Sequence, residues 1–305
     1  MQEEVLLSGM PQSSLAPDQL AGRNILLATD FSECSRRALD YALGIASRYQ
    51  SQLHLFHCID PAPYYLVEPD AAQITRDDAR GELERLVSAL GREGLARNVQ
   101  IKVVVEVGNL SDILSQVVND LDPGLIVVGT HGRTGWRKLV LGSVAELVVD
   151  TVPLPVLCVG PSTDRTRIQE FGPENILLAI ESSTRSQLAK SYAFSLARKY
   201  RSHLTTIDVL ENRSGSVRAK VAQCEWHKIE GSDDTLDSRP PSPLPQSTEI
   251  GTQSDLILRV ADQTAADLIV LAVPETHRFT NRFLSSNSYR VVIDAACPVL
   301  TVRDR

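Results

Sequence analysis

Four small residues have the type and spacing to do chemistry: Gly129, Gly132, Gly142 and Ser143, arranged as G-x-x-G, nine residues, then G-S. Glycine lets an anion approach the backbone because no Cβ stands in the way. Successive N–H groups of such a loop can converge on a phosphate. The apolar run Leu125-Ile-Val-Val128 before the loop reads as a buried strand. Ser143-Val-Ala-Glu-Leu-Val-Val149 after it reads as a helix, whose positive N-terminal end points at the same spot. The pattern therefore predicts phosphate binding. It is not the G-x-x-x-x-G-K-[ST] phosphate loop, nor G-x-G-x-x-G after the first strand, since that strand runs into Asp30-Phe-Ser-Glu.

Each of these residues also has a purely structural use. Glycines can simply permit a tight loop. Ser143 opens a Ser-x-x-Glu stretch with Glu146, which fits a capping box, and capping is compatible with touching a phosphate. Asp30 fits an Asx turn or a cap ahead of the next helix as well as a ligand carboxylate. Arg133, Arg137 and Lys138 can meet outer phosphates or form a solvated face. His131 and His57 make no credible metal site.

The elements that must position these residues alternate in type. Strands are expected near 24–29, 52–59, 99–107, 124–129 and 155–160, and helices near 33–50, 70–93, 110–120 and 143–151. Helix 33–50 carries an apolar stripe of Ala38, Leu39, Ala42, Leu43, Ile45 and Ala46, which are core positions. Apolar strands between amphipathic helices imply a parallel sheet covered on both faces. In such sheets ligands sit beyond the carboxyl ends of the strands, where strand order reverses. Asp30 and Gly129 both stand at strand ends.

The unit occurs twice. Asn24-Ile-Leu-Leu-Ala28 recurs as Asn175-Ile-Leu-Leu-Ala179, and 24–60 aligned with 175–211 gives 14 identities in 37 positions. Pairs include Tyr41 with Tyr192, Tyr49 with Tyr200 and Leu53 with Leu204. The offset falls from 151 there to 143 between 125–159 and 268–302, so the second copy has lost residues in its middle. That middle contains Ser238-Arg-Pro-Pro-Ser-Pro-Leu-Pro-Gln, and prolines cannot donate to a central ladder. A loop over 231–247 and an edge strand near Thr248-Glu-Ile250 are expected. Organisation follows: a disordered tail over 1–21, a first domain over 22–160, a linker over 161–174 and a second domain over 175–305.

In the second copy the signature decays. Gly129, Gly132 and Gly142 correspond to Ala272, Glu275 and Ser285, Ser143 to Ser286, and Asp30 to Glu181. Pro274 removes an N–H donor, and an inward-facing Glu275 would repel a phosphate. The second copy is expected to have lost nucleotide binding unless Glu275 turns outward and Arg278 or Arg282 compensates.

The 305 residues suit two domains, with 43% apolar and 23% charged residues, ordinary values for a globular protein. A net charge of −7 argues against nucleic acid or an anionic membrane as partner. No apolar run reaches the length of a membrane span, and the acidic Met1-Gln-Glu-Glu start is unlike a secretory signal, so a cytoplasmic protein is expected. Five cysteines without C-x-x-C suggest neither a disulfide framework nor a zinc site.

The G-x-x-G-9x-G-S pattern, with Thr29-Asp30 after the first strand and His57-Cys-Ile-Asp60 after the second, resembles the universal stress protein family, and because the unit occurs twice the resemblance covers most of the chain. The resemblance implies two tandem doubly wound α/β domains of strand order 3-2-1-4-5, with strands 1 and 4 adjacent at the switch point. It implies ATP or a related adenine nucleotide, with magnesium as a candidate companion, bound by Ala28, Asp30, Cys58, Val128, Gly129, His131, Gly132, Gly142, Ser143 and Val144. Asp30 would accept from the adenosine part, and Cys58 stands where the family usually has a valine whose backbone faces adenine. The family dimerises through its fifth strand. Val156-Leu-Cys-Val159 and Val299-Leu-Thr-Val302 are apolar edges that invite pairing. They are expected to join the two domains as an intramolecular pseudo-dimer, with further homo-oligomers open. The implied function is a nucleotide-responsive stress regulator or a partner-binding module for a protein the sequence does not name. A weak ATPase or self-phosphorylating protein using the same loop is the enzymatic alternative, though no base or metal pair stands out. A nucleotide-free scaffold is the third reading.

Overall fold

The apolar runs fold as strands of one continuous sheet in the computed structural model, which describes residues 22–60, 71–131, 141–163, 172–181, 187–211, 217–227, 235–237, 252–273 and 287–303. In the first copy these are β1 (Ile25–Ala28), β2 (Leu53–Ile59), β3 (Ile101–Val107), β4 (Leu125–Gly129) and β5 (Val156–Val159). Between them lie α1 (Glu33–Tyr49), α2 (Ala71–Glu93), α3 (Leu110–Leu121) and α4 (Ser143–Thr151). The strands are parallel in the order β3-β2-β1-β4-β5, as expected. β1, β4 and β5 are buried almost throughout, as a sheet covered on both faces requires, whereas the edge strand β3 buries Val105 alone.

Chirality then places the helices. The crossovers β1–α1–β2 and β2–α2–β3 step one way along the sheet, and β3–α3–β4 and β4–α4–β5 step the other. Right-handed connections therefore set α1 and α2 on one face and α3 and α4 on the opposite face. The reversal lies between β1 and β4, which pair from Ile25 opposite Leu125 to Ala28 opposite Val128.

The second copy repeats the plan with one change. It comprises β6 (Asn175–Glu181), α5 (Gln187–Tyr200), β7 (His203–Glu211), β8 (Val217–His227), β9 (Thr235–Asp237), α6 (Gln253–Gln263), β10 (Leu268–Val273), α7 (Asn287–Asp294) and β11 (Val299–Arg303). A counterpart of α2 does not stand between β7 and β8, where only residues 212–216 intervene. A parallel return needs a dozen or more residues, so β8 must run antiparallel to β7, and it does. Residues 235–237, expected to lie within a loop, instead form β9 antiparallel to β8. The expected edge strand near 248–250, the tail over 1–21 and the proline-rich stretch 238–246 lie outside the described residues.

The two copies meet where their apolar fifth strands predicted. β5 pairs antiparallel with β11, with Leu157 opposite Leu300, giving a single sheet of 11 strands among the described residues. Thr301 Oγ1 donates to the Val156 carbonyl at 3.2 Å, and Arg303 donates to the Val149 carbonyl. The repeat's own symmetry shows beside this seam. Lys199 Nζ sits 3.6 Å from the centre of the Tyr49 ring, while Arg48 lies 5.7 Å from the ring of Tyr200. Residues 48 and 49 are the repeat equivalents of 199 and 200, so each copy offers the same cation and ring to the other, as at a two-fold interface.

Leu157 and Leu300 are both buried. Leu300→Asp is expected to lower the free energy of unfolding by about 3–5 kcal/mol, the range for an uncompensated buried charge. Urea denaturation checks this. A loss under about 1 kcal/mol would mean that the seam opens to water.

Candidate functional site

At the carboxyl ends of β1 and β2 the chain leaves the sheet through a short, strained turn. Phe31 has φ of 65°, the left-handed region that a bulky residue enters only when held there. Its N–H donates to Thr29 Oγ1 at 3.1 Å, and its ring meets the His57 ring edge-on at 4.7 Å between centroids. His57 Nδ1 in turn lies 2.8 Å from the Thr29 carbonyl, which makes it the protonated nitrogen. The turn lets Ser32 cap α1, its hydroxyl accepting from the Ser35 N–H. Asp30 Oδ1 accepts from the Ser32 N–H at 3.0 Å, an Asx turn. The carboxylate thus serves the turn while it also faces the cleft.

That cleft is a cavity of about 470 Å³, within the ordinary range for small-molecule sites. Its walls come from both sides of the switch point. Ala28 ends β1, with Thr29 and Asp30 just beyond it; Phe56, His57 and Cys58 lie in the last half of β2, with Asp60 just beyond it. Gly108 to Ser111 precede and open α3, and Ser143, Val144 and Leu147 open α4. One side carries Ala28, Phe56 and Cys58 together with Thr29, His57 and the two carboxylates, and the other holds the start of α4. The cavity groups thus sort by charge: Asp30 and Asp60 can accept from hydroxyl or amino groups and would repel an anion.

The donors at the start of α4 can be assigned one by one. Leu141 N–H donates to Tyr289 Oη at 2.9 Å, Gly142 N–H to the Thr130 carbonyl at 2.8 Å, and Glu146 N–H to the Gly142 carbonyl at 2.9 Å. The N–H groups of Ser143, Val144 and Ala145 belong to the first helical turn and have no intrahelical acceptor. The expected capping box does not form. Gly142, not Ser143, takes the capping position with φ −60° and ψ 143°, and no side chain caps the helix among the described residues. Ser143 is displaced into the helix as its first residue and its side chain is exposed to the cavity. By contrast, α3 is capped by Asn109, which accepts from Ser111 and Asp112.

Of the residues singled out in the sequence, Ala28, Asp30, Cys58, Ser143 and Val144 line this cavity. Val128 is buried in the sheet. Gly129 faces α1: a Cβ there would stand 2.7 Å from the Cys34 carbonyl carbon and 2.8 Å from the Ser35 nitrogen. His131 anchors the loop, its carbonyl accepting from Ser32 Oγ at 3.1 Å and its Nδ1 lying 2.9 Å from Thr130 Oγ1. Burial lowers the His131 pKa, which favours the neutral ring. Gly142 closes the loop back onto Thr130. Gly132, Arg133, Arg137 and Lys138 lie outside the described residues, as does Glu275. The sequence reading did not single out Gly108, Asn109 and Leu110. Their signal was a glycine and an asparagine between a strand and a helix, which marks a cap but not a wall of this cleft.

Cys58 shows what the cavity does to a charge. Burial, with Asp60 and Glu106 nearby, pushes its thiol up to about 11, and Sγ donates to the Gly108 carbonyl at 3.6 Å. Its alkylation is expected to be slow at pH 7.5 and to rise about tenfold per pH unit toward 11, because only the thiolate reacts. Rates followed by mass spectrometry on the native protein test this. A plateau below pH 9 would contradict it.

The geometry can now be set beside known proteins. A profile of the universal stress protein family matches residues 22–160 and again 173–303. This chain belongs to the universal stress protein family. It is a tandem member, with two family domains joined into one sheet. A universal stress protein of Staphylococcus epidermidis is 32% identical over 141 residues, 45% of this chain and 83% of the relative. One from Methanocaldococcus jannaschii is 24% identical over 142 residues, again 45% of this chain and 81% of the relative. Among solved structures, a universal stress protein from Archaeoglobus fulgidus superimposes with a TM-score of 0.63 at 18% identity, over 92% of this chain and 98% of that one. A Pseudomonas aeruginosa protein of unknown function gives 0.58 at 17%, over 93% of each. These likenesses show a shared two-domain fold. No helix among the described residues is long and apolar enough to cross a membrane.

Proposed function

We propose that the first domain binds an adenine nucleotide, ATP foremost, and that the protein acts as a nucleotide-responsive regulator of a partner protein. Universal stress proteins often bind adenine nucleotides and are mostly non-catalytic. The observation that carries the reading to this chain is the start of α4. It offers the Ser143 hydroxyl and the first-turn N–H groups, uncapped by any side chain among the described residues, to a cavity whose other walls combine apolar groups, the carboxylates of Asp30 and Asp60, and the polar side chains of Thr29, His57, Asn109 and Ser111. Phosphates go to the helix end, where anions are favoured. The nucleoside goes to the half with Ala28, Asp30, Phe56 and Cys58, where Asp30 and Asp60 accept from its hydroxyl or amino groups. Magnesium accompanies the triphosphate as its counter-ion. Regulation follows from linkage: a ligand that binds one arrangement of the loop better shifts the population toward it.

Thermal and urea denaturation with added ATP and magnesium test the binding. At about a hundred times the dissociation constant, a ligand specific for the folded state adds about 2.7 kcal/mol to its stability. A protein that gains nothing from ATP, AMP or a cyclic adenine nucleotide would overturn the proposal.

A further inference from the structure

The second domain reaches the first domain's anion loop directly. Tyr289, on α7, places its hydroxyl oxygen 2.9 Å from the N–H of Leu141, the residue before Gly142. Leu141 is buried, and Tyr289 is partly buried against the core. The bond crosses from one copy of the fold to the other, over 148 residues of chain. It holds the strand of backbone that delivers Gly142 to its capping geometry and so aims the N–H groups of Ser143, Val144 and Ala145.

We infer that Tyr289 is a positioning residue through which the second domain sets the phosphate affinity of the first. This rests on the nucleotide reading of the α4 cavity. Two features support it. The Leu141 N–H is turned to Tyr289 and the Gly142 N–H to Thr130, so the N–H groups from Ser143 onward are the ones left for a ligand, and the frame of the loop depends on those anchors. In the repeat, Tyr289 occupies the position of Glu146. A phenol supplies an acceptor for the Leu141 N–H without setting a carboxylate beside the anion site. The second domain, with its decayed signature, thereby keeps a role: it acts as a built-in regulatory subunit. Any partner that shifts α7 changes nucleotide affinity, and nucleotide binding changes α7 by the same factor.

The test uses the full-length protein and Tyr289→Phe, which removes the hydroxyl and keeps the ring. Hydrogen exchange of the Leu141 amide is read first, without nucleotide, and is expected to be faster in the variant. ATP with magnesium and plain adenosine are then titrated into both proteins. The loss of one hydrogen bond is expected to weaken ATP by about two- to tenfold. Adenosine, which has no phosphate to place, is expected to bind both proteins equally. Unchanged exchange at Leu141 overturns the inference whether or not nucleotide binds. Unchanged ATP affinity overturns it, as does an equal loss for ATP and adenosine. Faster exchange in a protein that binds neither ligand in its wild-type form sinks the coupling together with the nucleotide reading beneath it, whereas the other outcomes leave that reading standing.

Discussion

Ser143→Asp is expected to strengthen the fold while it weakens nucleotide binding. A carboxylate at the first position of α4 interacts favourably with the helix end, by about 0.3–1 kcal/mol. The same charge stands where a phosphate should sit. At about 4 Å, two unit charges repel by roughly 1–4 kcal/mol between water-like and surface-like surroundings. ATP should therefore bind about fivefold to several hundredfold more weakly, while urea denaturation without ligand shows equal or greater stability. Ser143→Ala separates hydroxyl from backbone. If the N–H groups carry the anion, removing the hydroxyl costs no more than about tenfold. Equal ATP affinity in Ser143→Asp and wild type would place the phosphates elsewhere.

Gly129→Ala is expected to act through packing. The added methyl group meets the backbone of Cys34 and Ser35 at 2.7 and 2.8 Å. Backbone at the start of a helix cannot swing aside as a side-chain tip can, so α1 must shift away from β4. Overpacking of this kind costs about 1–3 kcal/mol. The shift would also disturb Ser32, which caps α1 and bonds the His131 carbonyl, and with it the turn that presents Asp30. Stability and nucleotide affinity should fall together, in contrast to Ser143→Asp. Denaturation midpoint and ATP affinity measured on one preparation check the pair. A stable Gly129→Ala that loses ATP would show that the glycine serves the ligand directly.

These two positions show how far the sequence could be read. Apolar runs and helical spacing placed the elements of the first copy to within a residue or two, because the apolar runs coincide with the buried strands and the apolar stripes with the buried helix faces. The family resemblance supplied the strand order, which spacing alone does not encode. Direction was another matter at β8. Whether a strand runs parallel or antiparallel depends on the connection available, and the loss of an α2 counterpart decided it.

At the site, strand-end residues such as Asp30 were legible, since the switch-point rule brings them to one crevice. The glycines were less so. Gly129 reads as room for a phosphate, yet its missing Cβ admits the backbone of α1, a contact between residues far apart in sequence. Ser143 and Glu146 have capping-box spacing, but the cap depends on dihedral angles, and Gly142 adopts them one residue earlier. Asn109 carried no local signal for the cleft, which it reaches at the start of α3, and Tyr289 carried none for its bond to Leu141, made from the other domain.

The central claim is one nucleotide site per chain, in the first domain. Calorimetric titration of ATP with magnesium into wild type and Ser143→Asp tests it most directly. A stoichiometry of one is expected for wild type, with binding weakened or lost in the variant. Two equivalent sites, or one site indifferent to Ser143→Asp, would contradict it.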